Sequence, residues 1–164
     1  MSRSRIPSTP AVRLLMQRQI PFVGHLYAYQ ERGGTAVCAR ELQVDEHAVI
    51  KTLVMEDDGQ HPLLVLMHGD RQVSTKKLAR ILGVRQVTPC TPERALQQTG
   101  YQVGGTSPLG TRNPLPVYLE DSILELPVIY LNGGKRGFLV ALDPQALLSL
   151  LNPVPVQVAS DGPN

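Results

Sequence analysis

The chain has 164 residues, 42% of them hydrophobic and 18% charged, with a formal net charge of +2. That length supplies one domain with a sizeable core but is short for two, and the charge is too small to announce a nucleic-acid binder by itself. Trp is absent and Phe occurs twice, so the core must be aliphatic; no apolar run approaches the roughly 20 residues of a membrane span and the start, Met1-Ser-Arg-Ser-Arg-Ile-Pro, lacks a signal peptide's apolar region, which predicts a cytoplasmic protein that meets no membrane.

Residues 1–8 form a short basic leader. Thr9-Pro10 can cap and open a helix over Ala11–Gln19 that ends before Pro21. Phe22–Tyr29 has strand content, with Tyr27 and Tyr29 on one face. After a polar loop, Thr35 can cap a helix to about Leu42, and Asp45 starts a turn before the strand Val49–Met55. Asp57-Asp58-Gly59 closes a hairpin onto His61–Met67, an apolar run suited to a strand covered on both faces. Ser74 caps a helix from Lys76 to Leu82, and Gly83 sits where a left-handed residue ends it. Val84–Thr88 is a short strand, and Thr91-Pro92-Glu93 opens a helix that stops at Gly100. Further strands are predicted at Leu115–Leu119 and Val128–Leu131, with a helical turn at Ser122–Leu126 between them. Asn132-Gly-Gly-Lys135 gives a hairpin turn to Gly137–Leu142, and Asp143-Pro144 opens a last helix to about Leu151. The Pro-rich tail, 153–164, is expected to be mobile, with Val154–Val158 a candidate edge strand. The sum is an α+β fold: a single domain over 9–152, with a mixed, partly barrel-like β-sheet and surrounding helices.

Gly100–Gly110 is the segment around which a site is expected. Its four glycines, one proline and three side-chain hydroxyls (Tyr101, Thr106, Ser107) make a shaped loop rather than a helix or central strand. It follows a helix C-terminus, so it cannot be a phosphate site on a helix N-terminus. Lys51 interrupts an aliphatic strand beside Thr52. Either its ammonium orients a phosphate or a carbonyl, or it guards a solvated edge strand against aggregation. Cys38 and Cys90 have no Cys-x-x-Cys spacing, and His25, His47, His61 and His68 have no ligand spacing, so no metal and no cofactor are expected. Walker, dinucleotide-binding and Gly-x-Ser-x-Gly motifs are absent, and Ser107 has no evident histidine base. Six basic residues between Arg71 and Arg94 face one acid, Glu93. That stretch is either a phosphate-facing patch or a solvated helix face.

Thr9-Pro-Ala-Val, Val49-Ile-Lys-Thr-Leu-Val, Lys76-Lys-Leu-Ala, Gly100-Tyr-Gln-Val-Gly-Gly-Thr-Ser-Pro-Leu-Gly and Asn132-Gly-Gly-Lys-Arg-Gly, in that order, resemble the YbaK family of aminoacyl-tRNA editing proteins, which are related to the insertion domain of prolyl-tRNA synthetase. The resemblance spans about Ser8 to Leu151. It implies deacylation of mischarged tRNA, most of all Cys-tRNA(Pro), with prolyl-tRNA synthetase as partner. The implied mechanism is substrate-assisted: the cysteinyl thiol attacks its own ester and leaves as a cyclic thiolactone. Alternatives are an Ala-tRNA(Pro) deacylase and a non-catalytic module binding tRNA or a partner. By motif position, Lys51, Gly104 and Gly105 would be catalytic, with Lys51 and Thr52 holding the terminal adenosine and ester. Tyr27 would line the aminoacyl pocket, Ser107 and Pro108 would complete its wall, and Glu120 or Asp121 would fill an acidic position that the family usually gives to Asp.

Overall fold

The computed structural model describes residues 6–160; Arg3 and Arg5 of the leader and the last four residues of the tail lie outside the described residues. In chain order the elements are α1 (Pro10–Gln17), β1 (Val23–Leu26), α2 (Gly34–Leu42), a 3-10 turn (Glu46–Ala48), β2 (Ile50–Asp57), β3 (Pro62–His68) and β4 (Gln72–Val73). There follow α3 (Thr75–Leu82), β5 (Val87–Pro89), α4 (Pro92–Thr99), β6 (Val117–Glu120), a second 3-10 turn (Asp121–Glu125), β7 (Ile129–Lys135), β8 (Phe138–Leu142), α5 (Ala146–Leu151), β9 (Val154–Val156) and β10 (Ala159–Ser160). The fold is the expected α+β domain.

Side-chain oxygens set three helix starts. Thr9, Ser74 and Thr91 accept from the backbone N–H groups of Val12, Lys77 and Arg94, satisfying donors that a helix leaves unpaired at its N-terminus. Gly83 and Gly100 end α3 and α4 in the left-handed conformation. Thr35 departs from its expected capping role: it lies inside α2, and its hydroxyl reaches Glu46 and the Gly69 carbonyl. The tertiary contact outcompetes the local one.

Five strands form the main sheet in the order β5-β2-β3-β6-β9, with β2 antiparallel to both neighbours and β3, β6 and β9 parallel. β3 is covered on both faces. Leu64 and Leu66 enter one aliphatic cluster with Leu15, Leu119, Ile129 and Phe138, while Leu63, Val65 and Met67 enter another with Leu78, Val87 and Val158. A second sheet, β1-β8-β7, meets the first through a parallel bridge between Val49 and Tyr130. The strands do not close into a barrel, which corrects the partly barrel-like expectation: β5 covers only Met55–Asp57 of β2, so that edge has no continuous partner to close against.

Two more differences shape the site. The predicted Asn132–Lys135 turn is instead an irregularity within β7, where Asn132 Oδ1 accepts from the Gly134 and Lys135 N–H groups; the chain reverses at Arg136-Gly137. Through residue 160 the tail pairs with the sheets. β9 adds to β6, β10 adds to β4, and Val156 and Val158 are buried in the core.

Candidate functional site

The carbonyl of Val54 accepts from the Cys90 N–H on the β5 side of β2. Backbone groups alternate sides along a strand, so the N–H and C=O of Thr52 face the same side. There, between the Met55–Asp57 ladder and the Val49 bridge, β2 has no strand partner among the described residues. A cleft of about 590 Å³ lies along this gap, with Lys51, Thr52, Tyr27, Tyr29, Gly104 and Arg136 among its lining. Distant segments of the chain therefore converge on one stretch of open sheet edge.

Lys51 is half-buried and its ammonium donates to the Arg71 carbonyl, leaving two of its three donors. Burial lowers its pKa, against the opposing pull of Glu46 and Asp70. On the opposite face of β2, the hydroxyl of the next residue, Thr52, is buried and has no hydrogen-bond partner among the described residues. Buried polar atoms are seldom left so. An orphaned hydroxyl, an open strand edge and an ammonium within one cleft suit a ligand rich in hydrogen-bonding groups.

The opposite wall is the Gly100–Gly110 loop. It is tied at its base, where the buried Tyr101 hydroxyl donates 2.7 Å to the Leu109 carbonyl. Gly104 lies at the cleft with φ +86°, where any side chain would meet the Tyr29 hydroxyl at 2.5 Å. Its carbonyl accepts from Asn132 at 3.1 Å, while its N–H has no partner among the described residues. Arg136 donates to the Val103 carbonyl at 2.9 Å and lies 5.2 Å from the Tyr29 ring centre, a cation-π contact that fixes both.

The expected site residues divide. Lys51, Thr52, Tyr27 and Gly104 come together at the cleft. Tyr27 lies beyond β1, beside Cys38, and burial raises its pKa first, with the thiol adding to the rise. Gly105 does not offer a free amide: its N–H donates to the Gln102 carbonyl at 2.8 Å, and its missing Cβ lets the loop lie against the Lys135–Arg136 backbone. Ser107 and Pro108 are buried behind the wall, the serine accepting from the Leu109 N–H. Glu120 accepts from the Val158 N–H at 2.7 Å and Asp121 from Gln157 at 2.8 Å, so both acids hold the tail and neither lines the cleft.

Sequence reasoning did not single out Tyr29, Asn132, Arg136, Cys38 or Cys90, all of which line the cleft. Asn132 stood in an expected hairpin turn, and both Asn132 and Arg136 in the last of the family-like segments, where neither was given a role. The two cysteines carry no spacing signal, and burial raises both thiols, Cys90 to about 11. Ser122 and His68 pair at 2.7 Å, but away from the cleft. Among the described residues no helix is long and apolar enough to cross a membrane.

Residues 32–150 match the family model described as an aminoacyl-tRNA editing domain. The chain is 31% identical over 145 residues to the Enterococcus faecalis protein named "Putative Cys-tRNA(Pro)/Cys-tRNA(Cys) deacylase EbsC", covering 88% of each chain. It is 38% identical over 96 residues to the Moorella thermoacetica proline--tRNA ligase, where the match covers 58% of this chain and 16% of the ligase. A crystal structure described as a "putative trans-editing enzyme for prolyl tRNA synthetase" superposes with TM-score 0.81 at 24% identity, covering 94% of this chain and 99% of the other, which shows a shared fold.

Proposed function

The chain belongs to the aminoacyl-tRNA editing domain family, and from that premise we propose that it acts in trans to free tRNA(Pro) from mischarged cysteine, alongside a prolyl-tRNA synthetase. One observation carries the reading: at the open edge of β2, next in the chain to Lys51, the Thr52 hydroxyl has no partner among the described residues, and neither has the Gly104 amide of the loop across the cleft. The terminal ribose and ester occupy the Lys51–Thr52 side. The developing oxyanion accepts from the Gly104 N–H, a backbone donor that needs no reorganisation.

The site has no histidine in its lining, and Ser107 is held behind the wall. Both facts favour chemistry in which the substrate supplies the nucleophile. The cysteinyl sulfur bonds to its own acyl carbon, the carbon–oxygen bond to the ribose breaks, and the thiol proton ends on the ribose hydroxyl. The products are a cyclic thiolactone and free tRNA. The rate gain comes from holding sulfur and carbonyl in attack geometry.

The test is a deacylation assay on Cys-tRNA(Pro), Ala-tRNA(Pro) and Pro-tRNA(Pro). Turnover of the first with thiolactone release supports the reading. Selective turnover of Ala-tRNA(Pro) would shift the substrate, and salt-dependent tRNA binding without release of any amino acid would leave only a binding module.

A further inference from the structure

A second cleft, of about 660 Å³, lies between β5, β4, α3 and the Leu53–Met55 stretch of β2. Leu53 lines both. We propose that this second cleft is the track for the phosphates of the tRNA acceptor strand whose 3′ end occupies the first; the identity of its RNA rests on the editing reading.

The lining contains Lys76 and Arg85, with Gln72, Thr75, Gln86 and Thr88 as neutral hydrogen-bonding groups, and no carboxylate. Lys77 and Arg80, exposed on the same short helix as Lys76, extend the positive field. None of these four cations has an ion pair among the described residues, whereas Arg40 and Arg94 each reach a glutamate. Asp58 accepts from the backbone N–H of Arg85 at 3.2 Å.

Helix polarity points to the same ligand. Lys76 and Lys77 stand in the first turn of α3, which contains no acid. Cations there oppose the helix dipole, so the arrangement lowers stability in the free protein. A bound phosphate reverses the sign, because it is attracted both to the lysines and to the helix N-terminus. Contacts of this kind position a nucleic acid without reading its sequence. That division of labour suits a protein whose chemistry occurs in the adjoining cleft.

The test pairs the Lys76→Glu/Arg85→Glu double variant with a control, Arg13→Glu/Arg18→Glu, which makes the same charge change on α1 and its C-cap. Three readouts are taken with full-length protein: melting temperature, salt-dependent retention of uncharged tRNA(Pro), and deacylation of Cys-tRNA(Pro) against cysteinyl-adenosine, which lacks the strand. The proposal expects the cleft variant to stay folded, to bind tRNA at least about tenfold more weakly, and to lose about one to two from its log–log salt slope, as expected for one or two lost phosphate contacts. Its turnover of cysteinyl-adenosine should match wild type. Unchanged tRNA binding and slope, an equal loss in the α1 control, or no tRNA binding by wild type would each overturn it. If wild type binds tRNA through this cleft yet deacylates nothing, the track stands and the editing reading falls. If wild type deacylates tRNA and the cleft variant matches it, the track alone falls.

Discussion

On the β5 flank of the main sheet, cover stops at Met55 and leaves β2 open at Thr52; on the other flank, β9 runs beside Tyr118–Glu120 and closes that side. Each flank has a polar residue that a sequence reading places in the site. Thr52 has a buried hydroxyl with no partner among the described residues, whereas Glu120 already accepts from Val158. Residue type alone therefore does not mark a site. What marks it is capacity left unsatisfied after the fold has made its own bonds.

Exchanging function and stability between the flanks would break this contrast. The largest effect is expected for Lys51→Ala, which removes the charge beside the open edge: deacylation should fall about 100-fold or more, the scale for losing a group that stabilises developing charge, with little change in melting temperature. Next, Gly105→Val would bring a Cβ to 2.8 Å from the Arg136 nitrogen, a backbone atom that cannot rotate away. The loop must shift, and steady-state kinetics should show a loss of about tenfold or more, since small misplacements weaken catalysis steeply. Glu120→Ala should do the reverse. Leaving the Val158 N–H unsatisfied costs about 1–3 kcal/mol, or a melting-temperature drop of about 2–4 °C per kcal/mol, while activity well below the transition stays near wild type.

The smallest effect is a pH dependence at the end of β3. His68 is buried, stacks on His47 at 3.7 Å, and bonds the His47 carbonyl and Ser122 through its two ring nitrogens. Burial, followed by the nearby His47, lowers its pKa against the raising pull of the His47 carbonyl bond and of Asp70 and Glu120. As pH falls below 6.5, the unfolded chain takes up a proton at this position before the folded protein does. Stability is therefore lost on the acid side until folded His68 also titrates, no more steeply than about 1.4 kcal/mol per pH unit. Denaturation curves between pH 7 and 5 should be flatter for His68→Gln.

Much of the fold was legible because its signals are local. Thr9-Pro10, Ser74 and Thr91-Pro92 are caps in the structure, and the apolar run ending at Met67 is buried on both faces. The open edge of β2 was not legible, since it depends on where β5 stops. Nor was the fate of Glu120 and Asp121, which is set by a tail that arrives more than 30 residues later. Asn132 and Gly134 tolerate turns, but here they build an irregular strand that presents Asn132 to Gly104. Lys51 was visible as a charge in an aliphatic strand; its tether to the Arg71 carbonyl was not.

On the proposed reading, the open edge at Lys51–Thr52 and the Gly104 loop carry out substrate-assisted deacylation. A single-turnover assay on Cys-tRNA(Pro) tests it most directly, comparing wild type, Lys51→Ala and Glu120→Ala and identifying the released amino acid product. The account predicts thiolactone release by wild type and Glu120→Ala at similar rates, and a loss of about 100-fold or more in Lys51→Ala. Equal rates for Lys51→Ala and wild type, or a collapse confined to Glu120→Ala in folded protein, would contradict it.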